Sequence, residues 1–204
     1  HKTHREFAGG RACVPVAGVE ALRLLRRSKI GPGERVLING AGGSIGTFAV
    51  QIAKNLGAVV TAVDSAAKLG MLQSIGADHV VDHTSQDFSR RGAIYDTIID
   101  VVCTKSYRRS VRSLKRGGRY LLGNPKLAHM LRGLWTRLVT GRRVLTGPSD
   151  DDVGDLEELR TLIEAGAVRP VVDRAFSLEE IVEAHRYAES GQKLGSVAIV
   201  VDAH

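Results

Sequence analysis

The clearest chemical signal in this sequence is a glycine-rich run. Glycine permits positive φ and lets the backbone approach a pyrophosphate closely, where a Cβ atom would block it. A helix that begins at Gly43 to Gly46 would direct free N–H groups and its positive dipole end at the phosphates. Gly46 would let that helix pack closely on the preceding strand. The residues expected to bind a dinucleotide here are Gly40, Ala41, Gly42, Gly43, Ser44, Ile45 and Gly46. The alternative interpretation is a tight strand–helix turn that binds no ligand, and the dinucleotide site is favoured.

An acidic residue follows at the spacing expected for ribose recognition. Asp64 ends the next strand pattern, 18 positions after Gly46 (64 − 46), close to the roughly 20 expected. A carboxylate there would accept hydrogen bonds from ribose hydroxyls and repel a 2′-phosphate, which favours NAD over NADP. Ser65 and Lys68 could instead hold a 2′-phosphate. Two simpler interpretations stay open: Asp64 as the N-cap of a helix from Ala66, and Lys68 as an ordinary surface residue.

Two further strand ends should lie near the same ligand, because ligands bind across the carboxyl ends of the strands in an open α/β sheet. We expect residues from these ends to line the nicotinamide side: Asp100, Val101, Val102, Cys103, Gly123 and Asn124. Cys103 has two interpretations, a reactive thiol beside basic residues or a partly buried small side chain, and the second is favoured.

The elements that position these residues follow from alternating patterns. Short apolar runs predict strands at 35–39, 58–63, 79–82, within 94–102 and at 119–122. Amphipathic stretches predict helices at 44–56, 66–75, 106–114 and 155–165. Residues 177–180 form a capping-box pattern that opens another helix, and 195–201 reads as a last strand. This alternation predicts an α/β fold, a Rossmann-type doubly wound parallel sheet with helices on both faces.

Composition excludes several classes of protein. The chain has 204 residues, of which 43% are hydrophobic, 25% charged and 4% aromatic. These values fit a folded domain with an aliphatic core and exclude disorder, collagen and coiled coil as global descriptions. No apolar run approaches the roughly 20 residues that span a bilayer, so no membrane partner is expected. The sequence begins without a methionine, and we expect a piece of a longer chain.

Motifs for other chemistries are absent from the sequence. Cys13 and Cys103 form no CxxC pair, which argues against a zinc cluster or a thiol redox motif and favours a reducing, cytoplasmic location. HExxH, P-loop and GxSxG motifs are also missing. We therefore assign no metal ligand, and the catalytic residues stay unknown.

Charge suggests an alternative partner. The formal net charge is +7, and no acidic residue occurs between Asp100 and Asp150. Such a span could bind a nucleic acid or another anionic surface, or it could be an ordinary solvated basic face. The solvated face is the favoured interpretation, and nucleic acid is the minor alternative.

Several stretches together resemble a known family. The sequence is similar to the cofactor-binding half of the medium-chain dehydrogenase/reductase superfamily, in the quinone-oxidoreductase-like and zinc-type alcohol-dehydrogenase-like branch. The matching stretches, in family order, are residues 14–18, 31–46, 49–54, 76–82, 95–96, 117–118 and 195–197.

The resemblance implies an enzyme that transfers hydride between NAD(P)H and a small-molecule carbonyl, alcohol, quinone or activated alkene. The family's pyrophosphate loop corresponds to Gly42 through Ile45, and its ribose acid to Asp64. His83 would contact the adenosine end. A homodimer formed through the sheet edge is also common in relatives.

The sequence departs from the family pattern in ways that limit these expectations. Glu20 stands where relatives commonly carry Thr, and Cys103 where they usually carry Gly. The N-terminal GroES-like domain, which supplies zinc ligands and most of the substrate pocket, is absent. This chain would therefore be a dinucleotide-binding fragment, with or without activity of its own.

The expected domain organisation has three parts. Residues 1–28 form an N-terminal segment with a bridging helix, and residues 29–168 form the Rossmann domain. Residues 169–204 form a C-terminal segment that rejoins the catalytic domain in relatives. The last strand would then be an unpaired edge here.

Overall fold

The computed structural model describes residues 12–102, 107–123, 133, 136, 139–145 and 154–201, so the predicted site residues Cys103 and Asn124 lie outside the described residues. The strands are β1 (Arg35–Asn39), β2 (Val59–Asp64), β3 (His79–Asp82), β4 (Tyr95–Asp100), β5 (Leu114–Leu122), β6 (Arg143–Leu145), β7 (Val172–Ser177) and β8 (Ser196–Val200). The helices are α1 (Val19–Ser28), α2 (Ser44–Asn55), α3 (Leu69–Ser74), α4 (Tyr107–Arg112), α5 (Gly154–Glu164) and α6 (Ile181–Glu189).

Six strands form one parallel sheet in the order β3-β2-β1-β4-β5-β6. The strand order reverses at β1, which pairs with β2 on one side and with β4 on the other. This is the doubly wound Rossmann-type arrangement that the sequence predicts, and its ligand crevice lies beyond the carboxyl ends of β1 and β4. None of the described helices has the length and apolarity needed to cross a membrane.

Both faces of the sheet are covered by apolar side chains. Val36 and Ile38 of β1 belong to a buried cluster with α1, α2 and Leu159 of α5. Leu37, between them, belongs to a second cluster with Val111 of α4. Because successive residues of a strand face opposite sides, a sheet covered on both sides needs apolar residues at every strand position. The nearly continuous apolar runs in the sequence have this cause.

The predicted boundaries mostly agree with the structure to within one or two residues, and β5 is the main exception. The apolar run predicts a strand at 119–122, whereas β5 begins at Leu114. Leu114 pairs with Tyr95, and pairing resumes at Arg119 after a register shift. Gly117, with φ +79°, lies within this irregularity. The polar residues of the bulge hide the first half of the strand from an apolar pattern.

The C-terminal segment contains a strand pair that the sequence analysis missed. β7 pairs in parallel with β8, so the expectation of an unpaired last strand is wrong. A parallel bridge links Gly195, just before β8, to Gly43 in the turn after β1. β7 carries Asp173 and Arg174, and its partly exposed residues lack the apolar run that marks the other strands. One of the two capping-box contacts is confirmed: the Glu180 side chain accepts the Ser177 N–H at 2.9 Å.

A buried ion pair ties α5 to α1. Asp155 is 1% exposed, and its Oδ2 accepts from Arg23 Nε at 2.7 Å. Arg26 also contacts Asp155, and it reaches Glu158 as well. The hydrogen bond from Arg23 lowers the pKa of Asp155, and Arg26 adds to this effect against the opposing influence of burial. The pair holds Leu159 of α5 against the core.

We expect Asp155→Asn to destabilise the fold by about 2 kcal/mol, because two arginines lose their carboxylate partner. Asp155 has a lowered pKa in the folded state, so its contribution is complete above its ordinary value of 3.8 and is lost as pH falls through the folded value. In urea unfolding, the difference in free energy of unfolding between wild type and Asp155→Asn should be complete at pH 7 and should fall toward zero in acid. Glu158→Gln, at a half-exposed partner, is the control and should cost less than about 1 kcal/mol. A free-energy difference that stays the same in acid would contradict the assigned role of the Asp155 carboxylate.

Candidate functional site

The glycine run forms a tight turn between β1 and α2. Gly40 has φ +81°, the left-handed conformation that favours glycine. The N–H groups of Gly40 and Ala41 both donate to Val63 O in β2, at 3.0 and 3.2 Å. Helix α2 then starts with the Thr47 N–H donating to Gly43 O at 3.0 Å. The end of β2 therefore holds the turn in place.

Three of the glycines are required by close contacts. A Cβ atom on Gly46 would lie 2.6 Å from Ala41 Cα, so the close packing of α2 at Gly46 is on the turn and not on the preceding strand as expected. On Gly40 it would lie 2.6 Å from Val102 Cγ1. On Gly42 it would lie 2.5 Å from Lys68 Cδ and 2.9 Å from Asp64 Oδ2.

Gly43 differs from its neighbours. A Cβ atom there would lie 3.6 Å from the nearest atom, Gly40 O, and its φ of −86° suits any residue. The structure itself therefore does not require glycine at this position. Open space at Gly43, where the first turn of α2 begins, is what a bound phosphate would need.

Asp64 is held against the glycine turn. Its Oδ2 accepts the Gly42 N–H at 2.7 Å, its Oδ1 accepts the Ser65 N–H at 2.9 Å, and Lys68 Nζ lies 3.3 Å from Oδ1. Asp64 and Lys68 are 8% and 7% exposed. Lys68 is thus not an ordinary surface residue. Nor is Asp64 a helix N-cap: a 3₁₀ turn, Ala66–Lys68, precedes α3, and its N-cap position is Ser65, which makes no capping bond with its side chain.

The other predicted residues lie along the same edge of the sheet. The His83 N–H donates to Asp64 O at 3.0 Å, and the His83 side chain is exposed. Val102 is 48% exposed beside Gly40. The Gly123 N–H donates to Asp100 O at 3.0 Å, which places the end of β5 beside the end of β4. The structure therefore brings the described members of the predicted set to one edge.

A buried polar cluster beneath this edge was not predicted. Asp100 was expected to line the nicotinamide side, but it is fully buried at the end of β4. Its carboxylate accepts from Asn39 Nδ2 at 2.9 Å and from Tyr120 Oη at 2.7 Å. These bonds link β1, β4 and β5 where the ligand crevice begins. The signal available in the sequence was that β1 and β4 each end in a polar residue, Asn39 and Asp100.

The C-terminal segment also reaches the glycine turn, which the sequence analysis did not anticipate. The Gly195 N–H donates to Gly42 O at 2.8 Å, and Ser44 Oγ donates to Gly195 O at 3.1 Å. Lys193 Nζ lies 2.9 Å from Ser44 Oγ. Burial lowers the pKa of Lys193, and the nearby Lys68 lowers it further. No short-range pattern in the sequence indicates a contact between residues this far apart.

The fold agrees with comparisons to known proteins. Residues 75–199, more than half of the chain, match the family model described as zinc-binding dehydrogenase, and the chain belongs to that family. The solved quinone oxidoreductase from Coxiella burnetii superposes with a TM-score of 0.82 at 27% identity, covering 94% of this chain and 60% of that one.

Two curated relatives show the same partial coverage. The mitochondrial NAD(P)H oxidoreductase RTN4IP1 of Mus musculus is 32% identical over 83% of this chain and 48% of its own length. The acryloyl-coenzyme A reductase of Metallosphaera sedula is 31% identical over 93% of this chain and 58% of its own. The chain therefore spans about half the length of these relatives.

Zinc, which the family's description implies, does not fit the part of the chain that is described. There, no group of three or more His, Cys, Asp and Glu side chains could hold a metal ion. No step of the function is therefore assigned to zinc.

Two buried tyrosines in the sheet provide a test of the Asp100 cluster. We expect Tyr120→Phe to destabilise the protein by about 2 kcal/mol, because it removes a donor from a buried carboxylate. Tyr95→Phe is the matched control: Tyr95 is equally buried, and its hydroxyl has no hydrogen-bond partner within the described structure. Removing the Tyr95 hydroxyl should leave the free energy of unfolding, measured in urea, unchanged or higher. Equal destabilisation by both variants would contradict the assigned role of the Tyr120 hydroxyl.

Proposed function

We propose that this chain is the dinucleotide-binding part of an NAD(P)H-dependent oxidoreductase of the medium-chain type. The observation that carries the proposal is the contact between Asp64 and Gly42. It places a carboxylate against a turn with no room for a Cβ atom, beside the open first turn of α2. A ribose and a pyrophosphate require these two features side by side.

Each part of the edge has a proposed role. The turn from Gly42 to Ile45 would hold the pyrophosphate, with the N–H groups of Ser44 and Ile45 as donors, because those of Gly42 and Gly43 already donate to Asp64 and to Gly40 O. Asp64 would accept from the adenosine ribose. His83 would lie at the adenosine end, and Val102 and Gly123 at the nicotinamide side. When bound, the nicotinamide gives or takes the hydride. The contribution of these residues is binding and orientation, and no catalytic acid or base is assigned among them.

We propose NAD as the preferred cofactor. Lys68, the cation best placed to hold a 2′-phosphate, is already paired with Asp64 and largely buried. The carboxylate of Asp64 would repel a second anion in the same place. Ser65 alone offers a neutral hydroxyl, which is weak compensation for that repulsion.

The substrate and setting follow from the relatives and remain proposals. Proteins named as quinone oxidoreductase and acryloyl-coenzyme A reductase are similar to this chain. The reaction proposed for the longer protein is hydride transfer to or from a carbonyl, alcohol, quinone or activated alkene. A homodimer and a cytoplasmic location also remain predictions, and one relative is named as mitochondrial.

Nucleic-acid binding is not favoured by the structure. Three cations of the acid-free span are paired with acids from outside it: Arg109 with Asp87, Lys115 with Asp96, and Arg119 with Glu34. These pairs reduce the uncompensated charge that a phosphate backbone would bind.

Adjacent glycines test the proposed site. We expect the chain to bind NADH saturably in a fluorescence titration, and Gly42→Ala to weaken that binding at least about tenfold, because its Cβ would displace Asp64 and Lys68. Gly43→Ala is the matched control for turn stability and should leave thermal unfolding unchanged. A wild-type chain that does not bind NADH or NADPH would reject the proposed function.

Cofactor preference is tested at Asp64. We expect wild type to bind NADH more tightly than NADPH, and Asp64→Asn to reduce or reverse that ratio by about tenfold, since the repulsion of a 2′-phosphate is removed. Asp96→Asn is the control. It makes the same change of charge near the start of β4, at the opposite edge of the sheet from Asp64. A ratio that responds equally to both variants would show that the effect is one of overall charge.

A further inference from the structure

Lys193 is a half-buried cation at the glycine turn, and it comes from a distant part of the chain. It lies between α6 and β8. Its Nζ donates to Ser44 Oγ at 2.9 Å and to Gly195 O at 2.8 Å. Ser44 is the first residue of α2, where the proposed pyrophosphate site begins.

The backbone around Lys193 is fixed on both sides. Asp173 of β7 accepts the Leu194 N–H at 3.0 Å and the Tyr187 hydroxyl at 2.5 Å. On the other side, the Gly195 N–H donates to Gly42 O. These bonds hold the backbone next to Lys193 beside the turn, within reach of Ser44.

Two cations lie near the turn, and each has an aspartate nearby: Asp173 acts on Lys193, and Asp64 pairs with Lys68. Lys68 shares Asp64 with the N–H groups of Gly42 and Ser65. Burial and then Lys68 lower the pKa of Lys193, and these effects outweigh the opposite influence of Cys13 and Asp173. A half-buried ammonium that has lost part of its hydration is stabilised when an anion binds beside it.

The hydrogen bonds at Ser44 could be exchanged for bonds to a bound phosphate. Its hydroxyl proton is directed to Gly195 O, while its oxygen accepts from Lys193. A phosphate oxygen that reached Ser44 could accept from both the hydroxyl and the ammonium. Each would exchange a neutral acceptor for a charged one, which makes a stronger bond.

We infer that Lys193 is a further dinucleotide-binding residue, whose ammonium donates to a phosphate oxygen of the cofactor bound at Ser44. The inference rests on the proposed function and extends it, because the β7–β8 pair then closes the phosphate end of the site. Lys193 acts on the phosphates and leaves the adenosine and nicotinamide ends to the residues described above.

The test compares ligands with and without phosphates. NADH, ADP-ribose and adenosine are titrated into the full chain and into Lys193→Gln. We expect NADH and ADP-ribose to bind at least about tenfold more weakly to the variant, and adenosine to bind equally. Lys193→Arg should recover most of the loss. Lys115→Gln, which removes a cation at the opposite edge of the sheet, is the control and should bind like wild type.

A second measurement separates charge from structure and needs no variant that might unfold. Burial lowers the pKa of Lys193, and a bound anion raises it back toward its ordinary value, so wild type should take up protons on binding NADH in alkaline buffer. Calorimetry in two buffers of different ionisation enthalpy measures this uptake, which Lys193→Gln should lack.

The outcomes distinguish the two proposals. If wild type binds no dinucleotide, the proposed function fails and the inference fails with it. If wild type binds NADH without proton uptake and Lys193→Gln binds equally well, only the inference is overturned. If adenosine weakens as much as ADP-ribose, Lys193 merely supports the structure of the turn and the inference is wrong.

Discussion

The hydrogen bond from the Gly42 N–H to the Asp64 carboxylate is the constraint on which the proposed site depends. It joins the end of β2 to the turn after β1, and it fills the space that a side chain on Gly42 would need. A carboxylate so deeply buried requires compensation, which the Ser65 N–H and Lys68 provide. The position of Asp64, the need for glycine at Gly42 and the burial of Lys68 therefore all follow from this hydrogen bond.

The sheet brings polar groups to one edge while apolar groups fill its faces. Along β1, Val36 to Ile38 are fully buried and the strand ends in Asn39, which bonds Asp100 of β4. Satisfying a buried polar group next to a ligand crevice fixes the spacing of the two strands there. The cluster thus adds rigidity at the place where the proposed nicotinamide site begins.

Local patterns were sufficient for the fold and for half of the site. Alternating apolar runs predicted β1 to β4, and glycine spacing identified the turn and Asp64, because each of these signals lies within a few residues or one βαβ unit. Lys193 was not predictable in this way, since it lies 149 positions from Ser44. The ion pair between Arg23 and Asp155 joins residues 132 positions apart, so a short stretch of sequence cannot predict it either. β7 escaped detection because its half-exposed residues mix charges with apolar groups.

The bridge between Gly43 and Gly195 has a consequence for the order of events during synthesis. The turn and its carboxylate are synthesised before the peptide that closes over them, since Gly195 lies 152 positions after Gly43 (195 − 43). A nascent chain could build β1 to β4 and pack both faces before residue 195 exists. Assembly of the sheet and completion of the site are therefore separate events in time, and a chain released early would resemble the finished protein while lacking one wall of its pocket.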